Sequence, residues 1–123
     1  MRSRNLIDSF RHAFAGLGHA LRTQRNTRIH LTIAVAVIIL GLYLELTATE
    51  WAILALTIGM VLVSEMLNTL AETIVDLISP GYHPLAKVIK DVTAGAVLLT
   101  AIFSVAVGLL VLGPPLWERL FGG

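Results

Sequence analysis

Glu65, Asn68, Glu72 and Asp76 recur at the spacing i, i+3, i+7 and i+11. At about 100° per residue they fall within an arc of roughly 80° on a helix. One acidic stripe results, rising about 16 Å along the axis at 1.5 Å per residue. The residues before it, including Ile53, Leu54, Leu56, Ile58, Met60, Val61, Leu62 and Val63, are apolar enough for a membrane span. The upper end of the stripe therefore lies inside the bilayer, where an ionisable group costs about 2.5 kcal/mol or more. Bound metal, cationic partners, protonation or water must compensate it, and Lys87 and Lys90 are the nearby cations. A deep glutamate suits a general base. A shallower glutamate and aspartate can hold magnesium, which takes oxygen ligands and brings phosphate with it, and lysine neutralises phosphate charge. Together these groups suit phosphate transfer to a lipid hydroxyl at the membrane surface. The competing reading, interhelical hydrogen bonds that glue an oligomer, accommodates Asn68 easily but three aligned carboxylates poorly.

Four helices are needed to position this stripe. Residues 5–22 read as an amphipathic surface helix, with Leu6, Phe10, Ala13, Phe14, Leu17 and Leu21 on one face. Spans are predicted at 29–46, 50–78 and 86–112, each near or above the ~20 residues a bilayer core requires. Thr47 or Thr49 can cap the second span, Ser79-Pro80-Gly81 stops it, and Gly113-Pro114-Pro115 is expected to stop the third. Gly41, Gly59 and Gly108 are expected to permit close helix contact. Trp51 and Trp117 read as interface anchors.

Composition agrees with a membrane protein of one domain, 1–123. The chain is 56% hydrophobic and 14% charged, against about 25% charged in soluble domains. Net charge is +1, so no global basic field suits nucleic acid. The absence of cysteine excludes disulfides and thiolate chemistry. The N-terminal stretch, with Arg2, Arg4, Arg11 and Arg22 spread along it, does not read as a secretory signal. Arg2, Arg4, Arg11, Arg22, Arg25 and Arg28 precede the first span, and Lys87 and Lys90 flank the turn after the second. The turn between the first two spans has no basic residue. The positive-inside rule therefore predicts a cytoplasmic N-terminus and a cytoplasmic 79–86 loop. Neither a Walker A pattern nor a protein-kinase glycine loop occurs.

The string Glu65-Met-Leu-Asn68-Thr-Leu-Ala-Glu72-Thr-Ile-Val-Asp76 resembles the signature of the prokaryotic diacylglycerol kinase family, which includes undecaprenol kinases. Lys90-Asp91 followed by Ala94-Gly95-Ala96 resembles its second motif. Ser9 to Gly16 and Arg25 to His30 look most like the undecaprenol kinase branch. The resemblance runs from about residue 9 to 100. It implies an all-α homotrimer in the bacterial inner membrane, with a surface helix and three transmembrane helices per subunit. Composite active sites would lie at the cytoplasmic face, with ATP as donor and Mg2+ as cofactor. By position, Glu65 would be the general base, with Asn68 orienting groups near it, and Glu72 would ligate metal. Asp76, Lys90, Asp91 and the Gly81-Tyr82-His83 loop would contact ATP, with His12 on the adenine side, and Glu65 and Ala94 would meet the lipid. The chain departs from the family at Gln24, where a second metal-ligating glutamate is common. Its amide oxygen can ligate metal but brings no charge.

Undecaprenol is the expected substrate, with diacylglycerol second. The alternative is a non-enzymatic oligomer conducting protons or cations along the stripe, or one in which the stripe is a relic. His30 reads as an interfacial or packing residue, and Glu45, Glu50 and Glu118 as solvated groups at the far end.

Overall fold

The computed structural model describes residues 5–122, which form four helices in chain order: α1 (Leu6–Thr23), α2 (Arg25–Leu44), α3 (Ala48–Ile78) and α4 (Pro84–Phe121). Arg2 and Arg4, part of the basic N-terminal group, lie outside these residues. The last three helices are each long and apolar enough to cross a membrane. At 1.5 Å per residue they measure about 30, 46 and 57 Å, against a hydrocarbon core of about 30 Å. Most interhelical packing is between α3 and α4. At mid-height the hydroxyls of Ser64 and Thr100 join them at 3.0 Å.

α1 and α2 are divided by a single extended residue, Gln24, rather than by the longer link expected at 23–28. The break is tight because α1's last carbonyls find local donors. The Gln24 amide donates to the Ala20 carbonyl, Thr23 Oγ1 donates to His19, and Arg28 Nη1 donates to Leu21 and Arg22. These bonds satisfy the carbonyls a helix end leaves open, so α2 can start at once. On α1 the apolar Leu6, Phe10 and Phe14 remain exposed.

At the opposite end, α2 stops at Glu45, which adopts the left-handed conformation with φ 56°. Of the two candidate caps, Thr47 serves. Its Oγ1 accepts from the Glu50 amide while Glu50 Oε1 accepts from the Thr47 amide, a reciprocal capping box. Gly41 is obligatory here, since a Cβ would lie 2.7 Å from Trp51 Cη2. Gly59 and Gly108, by contrast, have no such neighbour, so the expected close contact does not occur there. Trp51 packs against the core of Leu44, Leu54, Val111 and Leu112.

The expected stop at Gly113-Pro114-Pro115 is overturned, because α4 continues through both prolines to Phe121. Proline removes a backbone donor and clashes with the preceding turn, but helices in lipid tolerate it where neighbours compensate. The compensation here is tertiary. Val111, Leu112 and Leu116 pack on the core cluster. Within α4, one turn past the prolines, the Trp117 and Phe121 rings meet at 4.5 Å with a 46° tilt. Arg119 reaches Glu45 at 3.6 Å and lies over the Tyr43 ring at 4.8 Å. Glu50 is thus engaged in the cap, whereas Glu45, with its side chain 82% exposed, is largely solvated as expected.

Candidate active site

The antiparallel run of α2 against α3 sets the register of the polar seam. Gln24, at the start of α2, meets Glu72 near the end of α3, with Nε2 3.4 Å from Oε2. Six residues further along α2, His30 Nε2 lies 3.1 Å from Glu65 Oε1. The two glutamates are seven residues apart and so share one face of α3, while Gln24, Thr27 and His30 spread over a broader arc at the start of α2. Thr27 falls midway between Gln24 and His30 and is buried.

The acidic stripe is graded. The Glu65 side chain is 1% exposed, Asn68 and Glu72 are half-buried, and the Asp76 side chain is 66% exposed. Their partners change along the way. Glu65 faces His30 on α2. Glu72 takes amide contacts from Gln24 on α2 and from Asn68 Nδ2 at 3.5 Å on its own helix. Asp76 turns to α4, where Lys90 Nζ donates to Oδ1 at 3.1 Å. Asn68 thus attends Glu72 rather than Glu65.

Gln24, Asn68 and Glu72 converge as a set of oxygen-bearing side chains around one carboxylate. The amide orientations are interchangeable by a half-turn, so each amide can present its oxygen instead of its nitrogen. Such a set suits magnesium, which is held by one or two carboxylates together with phosphate oxygens and water. Among the described residues no cluster of three or more His, Asp or Glu could hold a metal unaided.

Other expected site residues are more dispersed. Asp91 pairs with Lys87 at 2.6 Å, one turn away on α4, and not with Lys90. Gly81, Tyr82 and His83 are exposed in the α3–α4 loop, where His83 Nδ1 caps α4 by accepting from the Leu85 amide. Ala94 is exposed on α4, and His12 is exposed on α1. His30 was expected only to pack, yet it touches the central carboxylate. The sequence carries no local signal for this contact, which depends on the α2–α3 register that sets Gln24 against Glu72.

Three membrane-length helices around a carboxylate series that opens toward one end define a polytopic membrane protein with a polar seam at that end. The chain belongs to the Prokaryotic diacylglycerol kinase family, which it matches over residues 11–112. A Synechocystis protein named diacylglycerol kinase is 52% identical over 113 residues, 91% of this chain and 65% of that protein. Undecaprenol kinase of Bacillus subtilis is 46% identical over 108 residues, 88% of each chain. A Helicobacter pylori diacylglycerol kinase is 34% identical over 88 residues, 72% of this chain and 69% of that one.

Proposed function

We propose that this chain is an ATP-dependent lipid kinase of the bacterial cytoplasmic membrane, acting on the hydroxyl of undecaprenol or else of diacylglycerol. The observation that carries the reading is the grading of the α3 carboxylates across a calculable boundary. From Ala48, Glu65 lies about 26 Å along the axis and Glu72 about 36 Å. With the α2–α3 turn at one face of a core about 30 Å thick, Glu65 sits just inside the opposite face and Glu72 just beyond it. A lipid hydroxyl and a water-borne phosphate donor meet at that depth.

The described basic residues Arg11, Arg22, Arg25, Arg28, Lys87 and Lys90 are at this end of the bundle, with Arg119 at the other. That distribution supports a cytoplasmic site. The exposed Leu6, Phe10 and Phe14 would lay α1 in the headgroup plane. The homotrimer, with sites shared between subunits, follows from the family resemblance.

In this reading Glu65 accepts the proton of the lipid hydroxyl as its oxygen attacks the γ-phosphorus, and ADP leaves. Glu72, with the amide oxygens of Gln24 and Asn68, would hold Mg2+, which supplies charge neutralisation for the phosphates. Lys90, positioned by Asp76, would face the phosphates, and Asp91 with the Gly81-Tyr82-His83 loop and His12 would contact the nucleotide. Ala94 leaves room beside the lipid. Catalysis is then chiefly positioning and electrostatics. Lys90 standing at the mouth of the stripe speaks against a cation pathway.

The test is transfer of radiolabelled phosphate from ATP to a panel of lipid alcohols by the purified chain in detergent. Labelled undecaprenol, with weaker labelling of diacylglycerol, is expected. No transfer to any lipid alcohol overturns the reading.

A further inference from the structure

Phosphorylating an alcohol with ATP releases one proton per turnover. A base that takes this proton must lose it before the next cycle. The Glu65 side chain is 1% exposed and, in the reading above, lies just inside the hydrocarbon boundary, so a group in contact with it is the natural outlet for its proton. The group against it is His30, whose side chain is 21% exposed.

We infer that His30 is the residue through which Glu65 is returned to its carboxylate form, a positioning and proton-accepting partner for the base; the inference rests on the kinase reading above. Nε2 stands 3.1 Å from Oε1 but off the N–H axis, so that buried oxygen receives no hydrogen bond. At 3.1 Å a small rotation of the imidazole or the carboxyl brings Oε1 onto the ring-nitrogen axis, the one direction along which a proton passes between them. The other wall around the imidazole is a cavity of about 80 Å³, also lined by Ile33, Val37, Leu54, Thr57, Ser104 and Gly108. The two hydroxyls there already donate to carbonyls of their own helices, Thr57 to Ile53 and Ser104 to Ala101. No titratable side chain of α4 lines this cavity. The charged group nearest to Glu65 on its own helix is Glu72.

The second observation lies one turn toward the site's open end. Thr27 Oγ1 is buried without a hydrogen-bond partner. Orphaned buried hydroxyls are uncommon and are usually met by ordered water. Thr27 lies between His30 and Gln24 along the chain, toward the open end of the seam.

The proton balance is simple. The lipid O–H bond breaks as the O–P bond forms, and Glu65 holds the proton. Glu65 passes it to Nε2, restoring the carboxylate and leaving an imidazolium. The imidazolium releases a proton to water along the Thr27 face, and the neutral ring is ready again. No oxidant, reductant or further reactant is required.

The experiment compares the wild-type chain with His30→Gln and His30→Gly in detergent or bilayers. His30→Gln keeps a hydrogen-bonding side chain of similar reach but cannot carry the proton. Its kcat is expected to fall by about 10², with KM for ATP and lipid alcohol unchanged. In His30→Gly, added imidazole should restore turnover in proportion to free base, and more basic imidazoles should restore more. Full turnover in His30→Gln, or a folded His30→Gly that imidazole does not rescue, overturns the inference. If neither variant folds, 15N-histidine spectra of the wild type and Glu65→Gln decide. An unchanged His30 signal on loss of the carboxylate shows that the pair does not communicate, and a changed titration supports it. A wild-type chain that phosphorylates no lipid alcohol would sink the kinase reading itself, a separate outcome.

Discussion

At the end of the bundle formed by the α2–α3 turn, polar groups answer one another: Thr47 and Glu50 cap reciprocally, Glu45 meets Arg119, and Trp51 fills the notch over Gly41. At the other end, buried polar atoms are left waiting. Glu65 Oε1 and Thr27 Oγ1 lack partners, and the Glu72 carboxylate is held only by long amide contacts at 3.4 and 3.5 Å. The apolar core cluster is at the first end, while the graded carboxylates are at the second. The difference teaches that stability and chemistry are divided between the ends. One end meets its polar groups within the chain, and the other leaves Glu65 Oε1 and Thr27 Oγ1 without a partner among the described residues. Unmet hydrogen-bonding capacity of this kind is uneconomical as architecture and useful as a site.

The largest expected effect that would break this comparison is at Glu65. Glu65→Gln should lower kcat by roughly 10²–10⁴, the range typical of a lost general base, while oligomer size and thermal stability are retained. Phosphate transfer at the wild-type rate would return Glu65 to a merely structural part. Glu72→Gln comes next. It should abolish turnover at ordinary Mg2+ and weaken Mn2+ binding, read by paramagnetic resonance in the presence of a non-hydrolysable ATP analogue. Unaltered Mn2+ affinity would remove Glu72 from the cation site.

At the other end the effects should appear in stability alone. Gly41→Ala forces a Cβ against Trp51 and should destabilise by about 1–3 kcal/mol, the usual range for overpacking, seen as a lower Tm with unchanged kcat in the folded fraction. Thr47→Ala removes the cap and should cost about 1 kcal/mol, read the same way. Smallest of all, Arg119→Met breaks a pair with an exposed Glu45 and should change stability by less than about 1 kcal/mol. A strong loss of kcat in any of these three would dissolve the division between the ends.

The acidic stripe was legible in the residues because helix geometry alone aligns Glu65, Asn68, Glu72 and Asp76. The helices themselves were legible from unbroken apolar runs, as with Ala48–Ile78 against the expected 50–78. What escaped depends on contacts between helices. His30 on Glu65 requires the α2–α3 register, which no local pattern encodes. The choice of Lys90 for Asp76 and of Lys87 for Asp91 follows from which face of α4 meets α3. The passage of α4 through Pro114 and Pro115 escaped for the same reason. A local breaker signal was outweighed by packing of Val111, Leu112 and Leu116 and by the reach of Arg119.

One consequence concerns the unequal helices. Only α2, with 20 residues, matches the hydrocarbon thickness, while α3 has 31 and α4 has 38. α2 is thus the ruler that fixes how far Gln24 stands from the far turn, and the longer helices must follow it. In a thicker bilayer α2 cannot lengthen, and hydrophobic mismatch of fractions of a kcal/mol per ångström would be relieved by local thinning around it. Membrane thickness would then set whether the lipid hydroxyl arrives level with Glu65, so chain length in the surrounding lipids becomes a control on turnover.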